Sequence, residues 1–406
     1  MPYDRRVLSS LGLSLLLIFG DLPVRELTEP KRERVVYQVR HPGTPIFTEP
    51  TRRADRIGAF AQGTRFYGGV ETFEGFGCSR GFIQEADGGY VCLSHLRQVD
   101  RPTLAESLPV LRDGQLVPSR HAFVLHDATP VYEQPEDALF GAAPIYTLSQ
   151  GFGIVIAGSR VVEGERFMRL RDGNFVSRES LGWSRPSEYE GHEIGETDYL
   201  DFAFAKGTRA AIRDESGARV RWAERREVVR VPKIEGDRAL LSDGTWMSVS
   251  DLHIPRFMPP PDEVFSGEIF IDIDLTEQML IVYRGSRPIF ATLVSTGRAS
   301  TPTREGVFPI WVKLAETDMS NLRDEEARSH YLMEGVPWAQ FFDSDIGLHA
   351  VYWHNDFGRP RSNGCVNLSP RDAKRIFELT RPSLPAGYEA ILRDSEGRPT
   401  LVRVRR

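Results

Sequence analysis

A short string recurs three times in the first half of the chain, and it restricts the possible folds more than any other feature. Each copy has Gly, any residue, an aromatic, Val or Met, a small residue, and Leu four positions later. The copies span 88–96, 173–181 and 244–252. Short β-rich runs between Gly, Asp and Pro turns are typical of small barrels. The repeat predicts a mainly β chain, with barrel-like modules at 31–101, 117–185 and possibly 196–255.

Residues 1–30 have the features of an export signal. Arg5 and Arg6 precede a mostly Leu, Ile and Phe run over 7–20, which ends abruptly at Asp21. This run is short for a membrane span and suits the apolar core of a signal peptide. We predict export to the periplasm or cell envelope, with an uncleaved membrane anchor or an ordinary buried helix as alternatives. A net charge of −6 without a long basic block argues against a nucleic-acid partner.

The three cysteines divide into a pair and a single residue. Cys78 and Cys92 lie 14 positions apart in one module, and an exported protein folds in an oxidising compartment. A local disulfide is therefore the favoured prediction, and two unrelated buried thiols are the alternative. Cys365 remains as a candidate reactive thiol.

The sequence pattern changes after a Pro-rich segment at 256–262, which predicts an extended linker. Apolar residues alternate over 269–274, which predicts a strand, and two later apolar runs joined by the turn 284–287 predict a hairpin. Ser369 followed by Pro370 predicts the start of a helix. The second half is therefore predicted to be mostly β, with a short C-terminal helix.

A possible nucleophile and base lie 16 positions apart in this second half. The neutral imidazole of His349 can take the proton of the Cys365 thiol, which is nucleophilic only as thiolate. Ser362, Asn363 and Gly364 add polar groups and a flexible backbone beside the thiol, which suits an oxyanion pocket.

Two other interpretations of these residues remain open. Cys365 is a buried structural thiol in the first. In the second, His349, His354 and Cys365 bind zinc, although paired ligands at short spacing are missing. We expect no metal and no cofactor.

Residues 263–394 resemble the catalytic domain of L,D-transpeptidases of the YkuD type. That family carries a His in an apolar strand, followed by the motif [S/T]-H-G-C-x-[N/R]. Here His349 matches the strand His, and the string Ser-Asn-Gly-Cys-Val-Asn at 362–367 matches the motif. The Ser-Thr-Gly at 295–297 and the Thr-Pro string at 301–308 match two further family stretches.

The resemblance implies roles for individual residues. Cys365 is the expected nucleophile, His349 its base, and the Ala350 carbonyl orients the imidazole, while Gly364 and Ser362 serve the oxyanion. Candidate substrate-binding residues are Asn363, Asn367, Tyr331, Trp353 and His354. The implied acyl donors are stem peptides of peptidoglycan, and the acceptor is a second stem or a wall-anchored protein.

The chain departs from the family pattern at two positions, and other functions stay open. Asn363 replaces the motif His, and Ala350 replaces the Gly that usually follows the strand His. The barrel-like modules resemble bacterial SH3-like domains, which implies wall association or a role as rigid spacers. The alternatives to transpeptidation are hydrolysis of the same bonds by an L,D-endo- or carboxypeptidase, and wall binding by an impaired enzyme.

Overall fold

The computed structural model describes residues 34–86, 88–100, 105–196, 199–324, 330–392 and 397–406. Within these ranges the chain forms 33 β-strands and two α-helices, which confirms the prediction of a mainly β fold. The predicted export segment at 1–30 lies outside them. In the described ranges, no helix has the length and apolar character needed to cross a membrane.

The first region contains seven strands. They are β1 (Arg34–Val39), β2 (Thr44–Phe47), β3 (Arg56–Phe60), β4 (Arg65–Gly69), β5 (Phe82–Gln84), β6 (Tyr90–Cys92) and β7 (Leu96–Gln98). β1 lies antiparallel between β4 and β7, and β2 lies antiparallel between β3 and β6. Ile46, Phe60 and Val91 are buried between these sheets. Cys78 and Cys92 form the predicted disulfide.

The second region contains seven strands and a short helix. They are β8 (His121–Val124), β9 (Thr129–Val131), α1 (Pro135–Leu139), β10 (Tyr146–Leu148), β11 (Gly153–Val162), β12 (Glu165–Leu170), β13 (Phe175–Ser177) and β14 (Leu181–Trp183). β8 pairs with β11 and β14, and β12 lies between β11 and β13. The helix α1, whose first helical residue is Pro135, is not indicated by the sequence pattern.

A connector strand leads into the third region. The strands are β15 (His192–Glu193), β16 (Phe202–Ala205), β17 (Ala211–Arg213), β18 (Arg219–Trp222), β19 (Val228–Arg230), β20 (Lys233–Glu235), β21 (Arg238–Leu240), β22 (Trp246–Ser248) and β23 (Leu252–His253). β16 lies between β19 and β23, and a separate sheet contains β17, β18, β20, β21 and β22. Ala203, Ile212 and Met247 lie in the shared core.

The repeated string has the same local structure in all three regions. Its aromatic residue begins β6, β13 or β22, a single 3-10 turn follows, and its Leu begins β7, β14 or β23. Leu96, Leu181 and Leu252 are each at most 2% exposed. Among the described residues, the strand pairs of these regions do not close into a barrel.

The C-terminal region holds ten strands and the longer helix. They are β24 (Ile269–Asp274), β25 (Met279–Arg284), β26 (Arg287–Leu293), β27 (Gly306–Pro309), β28 (Val312–Ser320), β29 (Leu332–Asp343), β30 (Ile346–Ala350), β31 (Val366–Leu368), α2 (Pro370–Leu379), β32 (Tyr388–Ile391) and β33 (Leu401–Arg405). The hairpin β25–β26 and the helix α2 are as predicted, and the Ser369 hydroxyl accepts the Asp372 N–H at 3.2 Å. Ile271, Leu348 and Ile376 join two sheets and α2 in one core.

Strand pairing joins the N-terminal regions to the C-terminal one. β3 pairs with β32, β11 with β29, and β15 with β26. The Pro-rich segment at 256–262 also lies against this region, since the Arg403 guanidinium donates to the Pro259 carbonyl at 2.7 Å. The N-terminal regions therefore pack directly on the C-terminal sheets, and one of the paired strands, β29, is the neighbour of β30.

Candidate active site

Two short parallel strands bring the predicted nucleophile and base together. In the β30–β31 pair, His349 lies opposite Asn367 and Leu348 lies opposite Val366. Cys365 immediately precedes β31, which places it level with Gly347. All five residues of β30 are buried, because the strand lies between β29 and β31 against the core.

The imidazole of His349 has a defined tautomer. Its Nδ1 lies 3.0 Å from the Ala350 carbonyl oxygen, which can only accept a hydrogen bond. Nδ1 therefore carries the proton, and Nε2 of the neutral ring keeps a free lone pair. Burial lowers the pKa of His349 to about 4, so the ring is neutral at physiological pH. This is the geometry that the predicted orienting role of Ala350 requires.

The Cys365 thiol is half-buried and uncharged. It donates to the Asp345 carbonyl with Sγ and O 3.6 Å apart. Burial raises the pKa of the thiol to about 11, the Asp345 charge raises it further, and the Gly347 N–H at the sulfur opposes both. In the described part of the chain, no hydrogen bond joins this thiol to His349. The two groups are thus a neutral thiol and a neutral imidazole rather than a preformed ion pair.

The turn before Cys365 is held by its own polar groups. The Ser362 hydroxyl donates to the Cys365 carbonyl and accepts the Gly364 N–H at 3.1 Å. Gly364 has φ +131°, a backbone conformation that favours glycine. The Gly364 N–H and the Ser362 hydroxyl therefore shape this turn. The Asn363 side chain is exposed beside it.

The two upstream strings that match the family lie directly against this turn. Ser295 and Asn367 exchange backbone hydrogen bonds of 3.1 and 2.9 Å. The Thr303 hydroxyl donates to the Gly364 carbonyl at 2.6 Å and accepts the Gly297 N–H at 2.9 Å. The two upstream strings and the motif at 362–367 thus form one connected site.

A group of aromatic and amide side chains flanks His349. The rings of His349 and Trp353 lie 5.9 Å apart, and those of Trp353 and His354 lie 6.3 Å apart. His354 Nδ1 accepts the Asp356 N–H at 3.2 Å, and its Nε2 lies 3.0 Å from the side-chain amide nitrogen of Asn367. Burial lowers the pKa of His354 to about 4, which keeps this ring neutral as well.

On the thiol side, the structure places one predicted residue and adds three that the sequence analysis did not identify. Burial raises the pKa of the Tyr331 phenol, and the nearby Cys365 side chain raises it further. Asp345 and Gly347 act through backbone groups, and Thr303 lies inside a string that was matched only as a whole. Among the described residues, no group of three or more His, Cys, Asp or Glu is arranged to hold a metal ion.

Comparison with known proteins identifies the domain that carries this site. Residues 268–392 match the model of the L,D-transpeptidase catalytic domain, YkuD. No curated protein matches the chain at a significant level. Because the family model covers the strands that hold the site, residues 268–392 are a YkuD-type L,D-transpeptidase catalytic domain.

Similar solved structures include three L,D-transpeptidases. The catalytic domain from Enterococcus faecium is 22% identical, with 35% of this chain and 100% of that chain covered and a TM-score of 0.27. The protein from Stackebrandtia nassauensis is 26% identical, with 36% and 60% covered and a TM-score of 0.25. L,D-transpeptidase 3 from Mycobacterium tuberculosis is 15% identical, with 40% and 74% covered and a TM-score of 0.28. The match spans 50% of a longer E. faecium L,D-transpeptidase chain.

Proposed function

We propose that this chain is an exported cysteine L,D-transpeptidase that cross-links or remodels peptidoglycan. The observation that carries the proposal is the tautomer of His349, which leaves Nε2 able to accept a proton on the strand next to Cys365. The family match at 268–392 supports the reaction class and the stem peptide as donor. Residues 1–30 are the proposed export signal, and the cell envelope is the proposed location.

The reaction begins with acylation of Cys365. His349 Nε2 takes the thiol proton as the sulfur attacks the carbonyl carbon of the third stem residue at its L-centre. The tetrahedral intermediate collapses with cleavage of the C–N bond, and the departing D-alanine amine receives the proton from the imidazolium. The product is a thioester on Cys365 and free D-alanine. Because both groups start neutral, the proton moves during the attack rather than before it.

The second half-reaction releases the enzyme. An amine of a second stem, or of a wall-anchored protein, attacks the thioester and gives a proton to His349 Nε2. The C–S bond breaks, and the leaving sulfur takes that proton back. The new amide links donor and acceptor, and the thiol and the neutral imidazole are restored. Water in place of the amine gives hydrolysis by the same residues.

The three β-rich regions are proposed to be SH3-like modules at 31–101, 117–185 and 196–255. The pairing of β3 and β11 with C-terminal strands, together with that of the connector strand β15, supports a role as rigid supports that hold the site at the wall. Wall binding by these modules is compatible with that role.

The test uses a stem tetrapeptide with and without an amine acceptor, and measures free D-alanine, tripeptide and cross-linked product. We expect cross-linked product from the wild-type chain, none from Cys365→Ala, and a loss of two to four orders of magnitude in His349→Gln. Tripeptide alone, even with acceptor present, would favour the hydrolase. Tight binding to peptidoglycan without any D-alanine release would favour the wall-binding protein.

A further inference from the structure

The segment 351–361, called the active-site loop here, is held both from within the catalytic domain and from the regions outside it. It carries Trp353 and His354, whose rings flank the proposed base. Within the domain, the Ser295 hydroxyl donates to the Asp356 carbonyl at 3.0 Å, and the Gly358 N–H donates to the Val294 carbonyl at 2.8 Å. The remaining contacts described below come from the second and third regions.

The third region contacts the active-site loop through two adjacent arginines. Arg226 Nη2 donates to Asn355 Oδ1 at 2.7 Å, and the hydroxyl of Ser187 donates to the same oxygen at 2.8 Å. Arg225 Nη2 donates to the Asn355 backbone carbonyl at 2.8 Å. Asn355 is the residue next to His354; Arg225 holds its backbone, and Arg226 and Ser187 hold its side chain.

Arg226 also lies over a ring of the connector and near one of the active-site loop, and these two rings stack on each other with their centres 5.6 Å apart. Its guanidinium carbon lies 4.4 Å from the centre of the Tyr189 ring and 5.6 Å from that of Phe357. Cation–π contacts of this kind are strongest where the cation is shielded from water. Arg226 therefore joins three segments: its own turn, the connector at 185–191, and the active-site loop.

The arrangement of Arg226 is energetically costly, which argues against an incidental contact. Its φ is +62°, in the left-handed region that disfavours every residue with a Cβ. Its Nη1 is buried without a hydrogen-bond partner, and burial lowers the pKa of the guanidinium. Strained and incompletely paired groups persist where the surrounding structure holds them, commonly beside functional sites.

Further contacts join the active-site loop to the second and third regions. The Ser184 hydroxyl donates to the Tyr352 carbonyl at 2.6 Å, and the His121 ring stacks on that of Tyr352 at 3.7 Å. A Cβ on Gly358 would lie 2.8 Å from Nε2 of His253, so the third region packs against the loop backbone itself.

We propose that Arg226 is a positioning residue of the active site, which acts through Asn355 to hold Trp353 and His354 beside His349. The inference rests on the proposed function, because the consequence of this positioning is substrate binding at the Cys365 site. It assigns the third region a part in forming the site, beyond its proposed role as a spacer.

The test compares four full-length chains: wild type, Arg226→Gly, Arg226→Lys and Arg371→Ala. Gly accepts the positive φ, so Arg226→Gly removes the side chain while relieving the backbone strain. Lys keeps the charge but offers no planar stacking surface. Arg371→Ala is the matched control, since it removes an exposed ion pair between α2 and Glu190 of the connector, 3.1 Å long, without touching the active-site loop.

Two readouts separate the proposal from the function on which it rests. Hydrogen exchange of peptides covering 351–361 should become on the order of tenfold faster in Arg226→Gly and stay unchanged in Arg371→Ala. The KM for acylation by a stem tetrapeptide should rise on the order of tenfold in Arg226→Gly, with a smaller change in kcat and partial recovery in Arg226→Lys.

Unchanged exchange in Arg226→Gly would overturn the proposal. Faster exchange with unaltered KM and kcat would also overturn it, because the contact would then be structural only. A wild-type chain that is not acylated would instead refute the proposed function, and the exchange measurement would still decide whether Arg226 holds the loop.

Discussion

The uncharged state of the thiol and imidazole makes a quantitative prediction about the reactivity of Cys365 toward a simple alkylating reagent. With a pKa raised by burial to about 11 from the ordinary value of 9.0, the thiol is far from ionised at neutral pH. About one molecule in 10⁴ carries a thiolate at pH 7, roughly a hundredfold less than for an unshifted thiol. The rate of alkylation by iodoacetamide should therefore rise about tenfold per pH unit between pH 7 and 10.

The assay follows carbamidomethylation of Cys365 by peptide mass mapping across this pH range. The disulfide of Cys78 and Cys92 removes the other two thiols from the reaction. His349→Gln should shift the alkylation profile little, because an imidazole with a pKa of about 4 is already neutral and has no charge to lose. The same variant should lose peptide acylation.

An alkylation rate that is flat between pH 6 and 8 would contradict a neutral thiol. So would a rise of the thiol pKa by more than about one unit in His349→Gln, since one unit corresponds to about 1.4 kcal/mol of lost thiolate stabilisation. Either result would mean that Cys365 and His349 form an ion pair before substrate binds.

Three further predictions concern the support of the site and the stability of the fold. Gly347→Ala should destabilise the chain by about 1–3 kcal/mol in urea unfolding, because the new Cβ would lie 2.7 Å from a backbone carbonyl of β29. Gly207→Ala is the control and should not destabilise the chain, since nothing lies within 4 Å of its new Cβ. Equal urea midpoints for the two variants would contradict this. Burial raises the pKa of Asp372 from 3.8 to about 6. Its contribution to stability is therefore fully present below pH 4 and should fall by about 3 kcal/mol as the pH rises through 6. Asp372→Asn should lack that pH dependence, and parallel curves of stability against pH for the two chains would refute the assignment. Replacing both Cys78 and Cys92 by Ser should lower the unfolding free energy by about 3 kcal/mol, and an unchanged value would show that the disulfide adds no stability.

The sequence predicts the local parts of this structure well because their causes are local. The repeated string folds into strand, 3-10 turn and strand each time, since its Gly, aromatic and Leu positions act within nine residues. Ser369 and Pro370 begin α2 for the same reason. The Cys365 and His349 pair also follows from one motif and one apolar strand.

The remainder depends on contacts between distant segments or on backbone groups. The Asp345 carbonyl and the Gly347 N–H contact the thiol through backbone groups. Because nearly every residue carries such groups, no residue type in the sequence predicts these contacts. Asp272 is fully buried on β24 because Arg403 and Arg405 of β33 pair with it, over 130 residues later in the chain. No periodicity in one segment reveals such partners.

The position of the third region is the clearest example of a feature that the sequence does not predict. Arg226 and Asn355 are 129 residues apart, and neither belongs to a recognisable motif. A Pro-rich segment at 256–262 predicts separation of the regions, yet the hydrogen bonds of Arg225 and Arg226 place the third region against the active-site loop.

The measurement that tests the central claim most directly is the intact mass of the full-length chain during reaction with a stem tetrapeptide. The account predicts a covalent adduct equal to the peptide minus D-alanine, located on Cys365 by fragmentation, absent in Cys365→Ala, and lost when an amine acceptor is added. A folded wild-type chain that releases no D-alanine and gains no mass at Cys365 would contradict it.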